Sequence, residues 1–457
     1  MNGLEYRTQL PLGVRDYLPG EALQKKRIED NLRGLFTGYG FQEVIPPGFE
    51  FYEAVEMGLG GKVEQTYKFF DRRGRILVLR PDFTTPLARI VATKLGAAPG
   101  PWRLCYAGSL FSYQDPGAGR PHETYQIGAE LIGAPEGAAD AEILSLAVEG
   151  LRRLGLQDSQ IAIGHAGCVQ GILEEAGLGE EDRRLILGTV ARRDLVTLER
   201  IAAKLPISDS LRRILVRLPS VVGGRDELEA FAVAAGGQGA REAARVIGDV
   251  LDHLERLGLS EQVRVDLGVV RDFAYYSGIV FEGHVRGVGL PVCGGGRYDR
   301  LLDQFGSPLP ATGFAFDLNS LMIALAARDG AAGTWATQPF SWLIVPLEAD
   351  LYAEAARRAR ELRAKGLIVE VEVSGKNAEA ALAYAQERGI GRITFLSRRP
   401  GLADALMGGG EGEIGPTEPP ERASGQEEAA GPAARSGMKP AAGPGTAVYE
   451  AVIDLRR

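Results

Sequence analysis

The pattern of hydrophobic and polar positions predicts an amphipathic helix near the start of the chain. From Pro19 to Gly40 the apolar residues recur at helical spacing among charged ones, and the helix should end near Gly38. The segment FQEVIPP then alternates between apolar and polar residues. It predicts a strand that ends at Pro46 and Pro47, because proline has no N–H to donate to a neighbouring strand.

Alternating patterns between Tyr67 and Gly133 predict antiparallel strands. YKFFDRRGRILVLR predicts a hairpin that turns at Arg73 and Gly74, and RLCYAGSLF and TYQIGAELIG predict two further strands. Residues 138–154 have helical spacing and should form a helix after these strands.

Helical periodicity then dominates residues 165–257, with EEDRRLILGTVARRDLVTLERIAAKL as its clearest example. We expect a helical insertion here, because strand patterns resume in VRVDLGVV and YYSGIVFEGHV. A glycine-rich turn at Gly294, Gly295 and Gly296 should follow, and ATGFAFDL predicts a strand that leads into the helix NSLMIALAARD. These elements complete a first domain over residues 1–327.

The rest of the chain, residues 338–457, predicts a small α/β domain. SWLIVPL, EAARRARELRAKG, LIVEVEV, AEAALAYAQERG and RITFLS alternate between strand and helix patterns, which indicates parallel pairing. Residues 407–445 consist mainly of Gly, Pro, Ala, Glu and Ser, too few large apolar side chains to offset the entropy of ordering, so they predict a disordered insertion. The final YEAVIDL predicts a last edge strand after it.

Composition excludes several classes of protein. The 457 residues are 45% hydrophobic and 25% charged, as in globular proteins, and the chain contains no apolar run of the roughly 20 residues that a membrane span requires. The first residues show no basic start followed by an apolar stretch, so we expect no secretion signal and a cytoplasmic location.

Net charge and cysteine spacing argue against a large nucleic-acid surface, a disulfide framework and a zinc site. The formal net charge of −8 disfavours a dominant nucleic-acid surface, although acidic enzymes that bind tRNA exist. Cys105, Cys168 and Cys293 lie far apart without a CxxC pair, which supports neither a disulfide framework nor a zinc site. We expect buried thiols, no metal and no cofactor.

Five stretches carry a more specific signal. They are the helix and strand that end at Pro47, RPDFTTPLAR, RLCYAGSLFSYQDPGAGRPHETYQIGAELIG, RDFAYYSGIVFEG and CGGGRYDRLLDQFGSPLPATGFAFDLNSL. In this order, over residues 10–325, they resemble the motifs of the histidyl branch of the class II aminoacyl-tRNA synthetases. The resemblance implies an α+β fold in which flanking helices cover an antiparallel sheet, and a first motif that forms a homodimer.

The resemblance also implies a pocket for free histidine. A selective site for this ligand needs an acid for its ammonium, a cation for its carboxylate and hydrogen-bonding groups for its ring. Asp82 stands where the family has a glutamate near the α-amino group, and Thr84 lies just beyond it. Gln126 keeps the family's glutamine, and Arg271 matches the arginine that approaches the carboxylate.

The ring of the ligand has its own matching residues. Glu130 and Tyr276 match the residues that face the imidazole, and Tyr275 matches a residue that lines the pocket. Taken singly, each has an ordinary explanation: adjacent strand tyrosines usually pack on a sheet, and a lone glutamate in a strand usually faces solvent. The three glycines at 294–296 lack the spacing of a phosphate-binding loop.

The residues that would activate ATP differ from the family's pattern. Ser112 follows Phe111 where the family has an arginine on the α-phosphate, and we count Ser112 with the predicted histidine-binding residues. Ser320 stands where the third motif ends in an arginine, and Asp115 and Asp317 add negative charge near the expected triphosphate. Activation needs positive groups around the phosphates, so we expect no catalytic residues and no aminoacylation.

A pocket that keeps its amino-acid contacts without its nucleotide contacts resembles the regulatory subunits of ATP phosphoribosyltransferase. RPDFTTPLAR and YYSGIVFEG are closer to that family than to the synthetases. The resemblance implies a non-catalytic subunit that the short-form catalytic subunit requires for activity in the first step of histidine biosynthesis. It also implies feedback inhibition by L-histidine and a homodimer within a hetero-octamer.

Two alternatives stay open from the sequence. One is an active histidyl-tRNA synthetase, and the other is a further synthetase-like enzyme or RNA-binding regulator. The C-terminal domain resembles a remnant of the synthetase anticodon-binding domain, but its helices are rich in Ala, Glu and Arg and have no obvious basic or aromatic platform. RNA recognition usually stacks bases on exposed aromatic rings, so tRNA is not expected as a partner.

Overall fold

The structure, a computed structural model, describes residues 8–96, 100–113, 121–235, 238–270, 275–329, 341–401 and 448–455. The chain divides into two compact units, Met1–Gly333 and Thr334–Arg457. Arg271, Asp115 and the predicted disordered insertion at 407–445 lie outside the described residues.

A nine-stranded sheet runs through the first unit in the order β1-β5-β6-β12-β11-β10-β7-β9-β8. Its strands are β1 Gln42–Glu43, β5 Trp102–Phe111, β6 Glu123–Ile132, β7 Ser159–His165, β8 Val222–Gly223, β9 Val263–Asp266, β10 Ile279–Val285, β11 Cys293–Arg297 and β12 Ala311–Asp317. Neighbouring strands are antiparallel except for the pairs β1–β5 and β7–β9. The predicted α+β fold, with an antiparallel-rich sheet and flanking helices, is confirmed.

Three long helices cover one face of this sheet: α1 Pro19–Gly38, α4 Ala138–Arg153 and α11 Leu318–Asp329. The helical spacing of α1 places Ile28, Leu32 and Phe36 on its buried side, where Phe36 meets Phe314 of β12 edge to face at 5.9 Å between ring centroids. The amphipathic helix predicted near the start of the chain is therefore confirmed. The three helices leave the opposite face of the sheet uncovered.

A separate three-stranded sheet, ordered β2-β4-β3, contains the predicted hairpin. Its strands are β2 Phe49–Phe51, β3 Lys68–Phe70 and β4 Ile76–Leu79, and helix α2 Tyr52–Leu59 packs beside it. Immediately after β4, the segment Pro81–Phe83 leads into α3 Thr84–Ile90, which packs on the face of the large sheet that the long helices leave open. This short connection is what brings RPDFTTPLAR to the sheet.

Between the parallel strands β7 and β9 the chain forms a helical segment. Its helices are α5 Ala166–Glu175, α6 Glu180–Ala191, α7 Leu195–Ala202, α8 Asp209–Arg217, α9 Arg225–Ala235 and α10 Gln238–Arg256. The continuous helical pattern of residues 180–205 is broken at Arg193, whose φ of 52° is left-handed, and Asp194 caps the next helix by accepting from the N–H of Thr197. Helical periodicity alone does not reveal this break, because the polar residues of the turn also fit an exposed helix face.

Two predictions about the central strands are wrong. Gly294, Gly295 and Gly296 form part of the interior strand β11 rather than a turn, since each of them pairs with a residue of β10 and a residue of β12. A Cβ on Gly295 would lie 2.1 Å from the carbonyl oxygen of Gly313. Tyr275 and Tyr276 precede β10 instead of belonging to it, so the strand alternation does not decide where their rings point.

The second unit contains a four-stranded sheet in the order β14-β13-β15-β16. Its strands are β13 Ser341–Pro346, β14 Ile368–Val371, β15 Arg392–Ser397 and β16 Tyr449–Asp454, with helices α12 Tyr352–Ala364 and α13 Ala378–Glu387. The predicted parallel pairing holds for β13 with β14 and β15, and β16 is an antiparallel edge strand. No helix in the described ranges of either unit has the length and apolar composition needed to cross a membrane.

Candidate functional site

A small cavity lies on the open face of the large sheet, beneath the segment that precedes α3. It brings together most of the predicted ligand-binding residues, namely Asp82, Thr84, Gln126, Glu130, Tyr275 and Tyr276. The remaining lining residues are Pro81, Phe83, Tyr106, Leu110, Gly294, Tyr298, Gly313, Phe314 and Ala315. Four distant stretches of sequence thus converge at one site.

Two predicted residues are not in this lining. Ser112 follows the end of β5, and its backbone N–H donates to the carbonyl of His122. It lies outside the lining of the cavity. Arg271 lies outside the described residues, so its role on the ligand carboxylate stays a prediction.

Glu130 is the most deeply buried acid of the site, with 1% of its surface exposed. Its Oε1 accepts hydrogen bonds from Thr84 Oγ1 at 3.0 Å and from the Tyr106 hydroxyl at 3.4 Å, and its Oε2 accepts one of 2.6 Å from the Tyr298 hydroxyl. Burial raises the pKa of Glu130 to about 7, and these hydrogen bonds oppose the rise. A carboxyl group of this kind changes its protonation near neutral pH.

Close packing around Glu130 explains a glycine in the neighbouring strand. Gly313 pairs with Glu130 across β6 and β12, and a Cβ at Gly313 would lie 1.6 Å from Glu130 Oε2. In β6, a Cβ at Gly128 would lie 2.4 Å from the Tyr106 hydroxyl. Both glycines therefore leave the space in which the carboxylate and its tyrosine donor meet.

Asp82 is the second buried acid, and one of its oxygens is open. Its Oδ2 accepts a hydrogen bond of 2.8 Å from the Thr85 hydroxyl, whereas its buried Oδ1 has no partner among the described residues. Burial raises the pKa of Asp82 to about 6, against the effect of the hydrogen bonds from Thr85. A buried oxygen without a donor is costly, so this atom is suited to a ligand that brings one.

Aromatic rings and one amide form the rest of the wall. Tyr275 lies 4.9 Å from Tyr276 and 5.7 Å from Tyr298 between ring centroids, and Phe83 stacks on Tyr106 at 4.2 Å. The carboxamide of Gln126 also lines the cavity. Such a wall suits a flat ring that carries polar atoms at its edge.

The sequence prediction missed Tyr106 and Tyr298, which both donate to Glu130. A signal for Tyr106 is present in the strand pattern, since it alternates with Leu104 and Leu110 on the face of β5 that meets β6 at Glu130. Tyr298 directly follows the strand β11, and only the pairing of β11 with β12 places it beside the acid.

Arg80, which directly precedes the lining residue Pro81, donates its hydrogen bonds to backbone carbonyls. Arg80 donates from Nη1 to the carbonyls of Pro46 and Pro47 at 2.9 and 3.1 Å and from Nη2 to that of Ser109 at 2.9 Å, and it stacks over Phe83. Since no lysine, arginine or histidine lines the cavity within the described residues, its charge is set by Asp82 and Glu130. The described part of the site therefore favours a cationic ligand and disfavours a polyphosphate.

Ser320, which stands where the third motif has an arginine, makes its contacts within the chain. Ser320 is buried and donates its backbone N–H to Asp317 Oδ1 at 2.7 Å. Burial raises the pKa of Asp317, and hydrogen bonds from Ser320 and Asn319 oppose this. The backbone donor of Ser320 at the start of α11 is thus used by a carboxylate of the same chain.

The chain is similar to histidyl-tRNA synthetases and to the regulatory subunits of ATP phosphoribosyltransferase. Residues 13–321 match the family model of histidyl-tRNA synthetase. The ATP phosphoribosyltransferase regulatory subunits of Moorella thermoacetica and Symbiobacterium thermophilum are each 42% identical to this chain, over 84% and 87% of it and over 96% and 98% of their own lengths. A crystal structure of an ATP phosphoribosyltransferase regulatory subunit/histidyl-tRNA synthetase from Bacillus halodurans C matches with a TM-score of 0.73 and 31% identity, over 82% of this chain and 96% of that one.

Proposed function

Because the chain belongs to the family of ATP phosphoribosyltransferase regulatory subunits, we propose that its buried cavity binds L-histidine and that histidine occupancy controls a short-form ATP phosphoribosyltransferase catalytic subunit. The partner would perform the first step of histidine biosynthesis and would depend on this chain for activity. Bound histidine, the end product, would inhibit the assembly.

The observation that carries this proposal is the pair of buried acids in the cavity. Asp82 has one oxygen without a donor, and Glu130 is held by three hydroxyl groups next to an aromatic wall. Burial disfavours the anionic form of both acids and so raises their pKa values. A ligand that brings a cation or a strong hydrogen-bond donor would stabilise these anions. Histidine supplies both, through its ammonium and its imidazole N–H.

The orientation of the ligand follows from the chemistry of the wall. The ammonium would donate to the open oxygen of Asp82 and to the carbonyl oxygen of the Gln126 side chain. The imidazole would lie against Tyr275 and Tyr276 and donate a ring N–H to Glu130. Arg271 would face the ligand carboxylate, as the resemblance of its motif implies.

We further propose that the chain does not aminoacylate tRNA. Formation of an adenylate requires positive groups at the α-phosphate and at the departing pyrophosphate. Ser112 and Ser320 stand at those positions, and Asp317 uses the backbone donors at the start of α11.

The assembly we propose is a homodimer within a hetero-octamer. The three-stranded sheet exposes Phe49, Phe51 and Phe69, with 51%, 41% and 37% of their surfaces accessible, and Phe49 and Phe69 are in edge-to-face contact. An aromatic patch of this kind usually marks a protein interface, and a twofold pairing is the commonest way to cover it. Replacement of Phe49 and Phe69 by Ser should convert the dimer to a monomer in light scattering.

The proposal is tested by titrating the purified chain with L-histidine in a calorimeter and by adding it to a short-form catalytic subunit. We expect saturable binding of histidine, activation of the partner, and inhibition of the activated complex by histidine over the same concentration range. Absence of histidine binding, or a partner whose rate does not respond to this chain, contradicts the proposal.

A further inference from the structure

We propose that the contact between Arg193 and Asp266 positions the ligand pocket, and that it couples the helical segment of residues 166–256 to histidine binding. This inference rests on the proposed function, because histidine is its ligand. Arg193 lies in the turn between α6 and α7, and Asp266 is the last residue of β9. Neither residue lines the cavity.

The backbone of Arg193 indicates that its side chain is needed. Its φ of 52° is the only left-handed value of a non-glycine residue in the described chain, at the position after a helix end where glycine is usually preferred. A residue with a Cβ is strained there. The arginine side chain offsets this strain by donating from Nη2 to Asp266 Oδ2 at 2.5 Å and from Nη1 to the carbonyl of Pro219 at 3.2 Å.

Asp266 transmits this contact to the turn that follows β9. It is 2% exposed, and while Oδ2 meets Arg193, Oδ1 accepts from the backbone N–H of Gly268 at 3.0 Å. Within the same turn, the N–H of Val269 donates to the carbonyl of Asp266. One carboxylate therefore holds the guanidinium on one side and shapes the 266–269 turn on the other.

The turn lies directly on the sheet near the cavity. At Gly164 of β7, an added Cβ would lie 2.9 Å from the carbonyl oxygen of Asp266 and 3.2 Å from that of Val269, so the turn needs a glycine beneath it. Val269 packs in a buried cluster with Ala162 and Val280, and the ring of Tyr276 packs against this cluster. Tyr276 is part of the cavity wall, so a continuous set of contacts leads from Arg193 to the cavity.

The helical segment is attached to the same turn at a second point. The N–H of Leu267 donates to the carbonyl of Val221, and β8 pairs with β9 so that Val222 lies opposite Asp266. A shift of the helical segment relative to β9 would therefore move the turn and the wall of the pocket. If histidine binds more tightly when the Arg193–Asp266 contact is formed than when it is broken, then bound histidine must stabilise this contact by the same free energy.

The test compares histidine affinity in the full-length chain carrying Arg193→Gly, Arg193→Lys or Asp266→Asn. Glycine removes the side-chain contact, and it adopts the left-handed backbone at position 193 without strain. A loss of histidine affinity in this variant would therefore come from the lost contact and not from a strained backbone. We expect the Kd for histidine to rise roughly two- to thirtyfold in Arg193→Gly. Lysine keeps the charge without the two-pronged geometry and should restore part of the affinity. If Arg193→Gly does not fold, the same comparison rests on Arg193→Lys and Asp266→Asn.

Replacement of the neighbouring exposed Arg192 by Ala is the matched control and should leave the Kd unchanged. Hydrogen exchange supplies a second measurement: histidine should protect the amides of residues 263–270 in the wild type and in Arg192→Ala, but less in Arg193→Gly. Wild-type affinity in the Arg193 and Asp266 variants, or an equal loss in Arg192→Ala, overturns this inference while leaving the proposed function intact. Failure of the wild type to bind histidine overturns the proposed function, and this inference with it.

Discussion

Tyr298 donates a 2.6 Å hydrogen bond to Glu130, although 168 residues of sequence separate the two. Together with Thr84 and Tyr106 it fixes the orientation of the carboxylate before any ligand arrives. Such preorganisation reduces the entropy lost on binding, since the acceptor does not have to be ordered by the ligand.

Replacing Glu130 by Gln should weaken histidine binding about ten- to a hundredfold, because loss of a charge-assisted hydrogen bond in a closed pocket costs about 1.5–3 kcal/mol. The variant should still activate the catalytic partner but resist inhibition by histidine. Calorimetry and coupled assays measure both effects. The matched control is Glu142→Gln, which removes a charge paired with Arg103 outside the cavity and should leave the Kd unchanged. Wild-type affinity in Glu130→Gln would show that histidine binds elsewhere.

The free protein should lose stability as pH rises through the range set by Glu130. Its pKa is about 7 in the folded chain against an ordinary value of 4.5. Between these values the folded state holds a proton that the unfolded state has released, so this contribution to stability is complete below the lower value and is lost as pH approaches the upper one. Asp82, with a pKa of about 6, acts in the same direction.

The measurement is the Tm of the wild type and of Glu130→Gln from about pH 5 to about pH 8, without ligand. Because the amide does not titrate, the Tm of the wild type should fall relative to that of the variant over this range. Saturating histidine should reduce the difference, since a donor at the carboxylate favours its anion. Parallel pH profiles would argue that Glu130 stays ionised throughout.

Replacing Asp82 by Asn should weaken the binding of ligands that carry an α-ammonium group, such as histidine, and should leave the binding of ligands without this group unchanged. The open Oδ1 of Asp82 is the oxygen to which this group would donate. Imidazolepropionate, which lacks the α-amino group, should bind the wild type and Asp82→Asn with similar affinity, whereas histidine should prefer the wild type by roughly tenfold or more. An equal loss for both ligands would place the ammonium elsewhere and assign Asp82 a role in packing.

Replacing Asp140 by Asn should destabilise the first unit by about 1–3 kcal/mol, because it removes the buried one of the two acids that pair with Arg297 and leaves only the partly exposed Asp299 as its counter-charge. The side chains of Asp140 and Arg297 are each 1% exposed, and Arg297 Nε donates to Asp140 at 3.0 and 3.1 Å. Urea unfolding measures the change. The exposed Arg245, which pairs with Glu242 and Asp249, provides the contrast, and its replacement by Ala should leave the midpoint nearly unchanged.

The purified chain should show no ATP–pyrophosphate exchange with histidine. Restoring both arginines, as Ser112→Arg with Ser320→Arg, should not create this activity, because Asp115 and Asp317 still add negative charge near the expected triphosphate. An active histidyl-tRNA synthetase assayed in parallel provides the positive control. Rapid exchange by the unmodified chain would favour the synthetase alternative over the regulatory subunit.

Local patterns in the sequence were sufficient for most of the elements. Helical spacing and capping depend on residues a few positions apart, so the helix from Pro19 and the hairpin at Arg73 and Gly74 could be predicted without tertiary information. The wrong predictions concern segments whose state depends on distant neighbours. The glycines at 294–296 form a strand because their backbones pair with β10 on one side and β12 on the other.

The candidate site divides in the same way. The resemblance of the ordered motifs to those of a known family was enough to name Asp82, Thr84, Gln126 and Glu130. Tyr298 and the open oxygen of Asp82 emerged only in three dimensions.

By itself, then, the sequence determined the types of secondary structure through local spacing, and the resemblance of its ordered motifs to a known family pointed to most of the polar groups of the pocket. Only the tertiary structure decided how deeply Glu130 is buried, which hydroxyls reach it and how Arg193 contacts Asp266. Burial and long-range hydrogen bonds are set by the register of strands far apart in sequence, and raised pKa values follow from them.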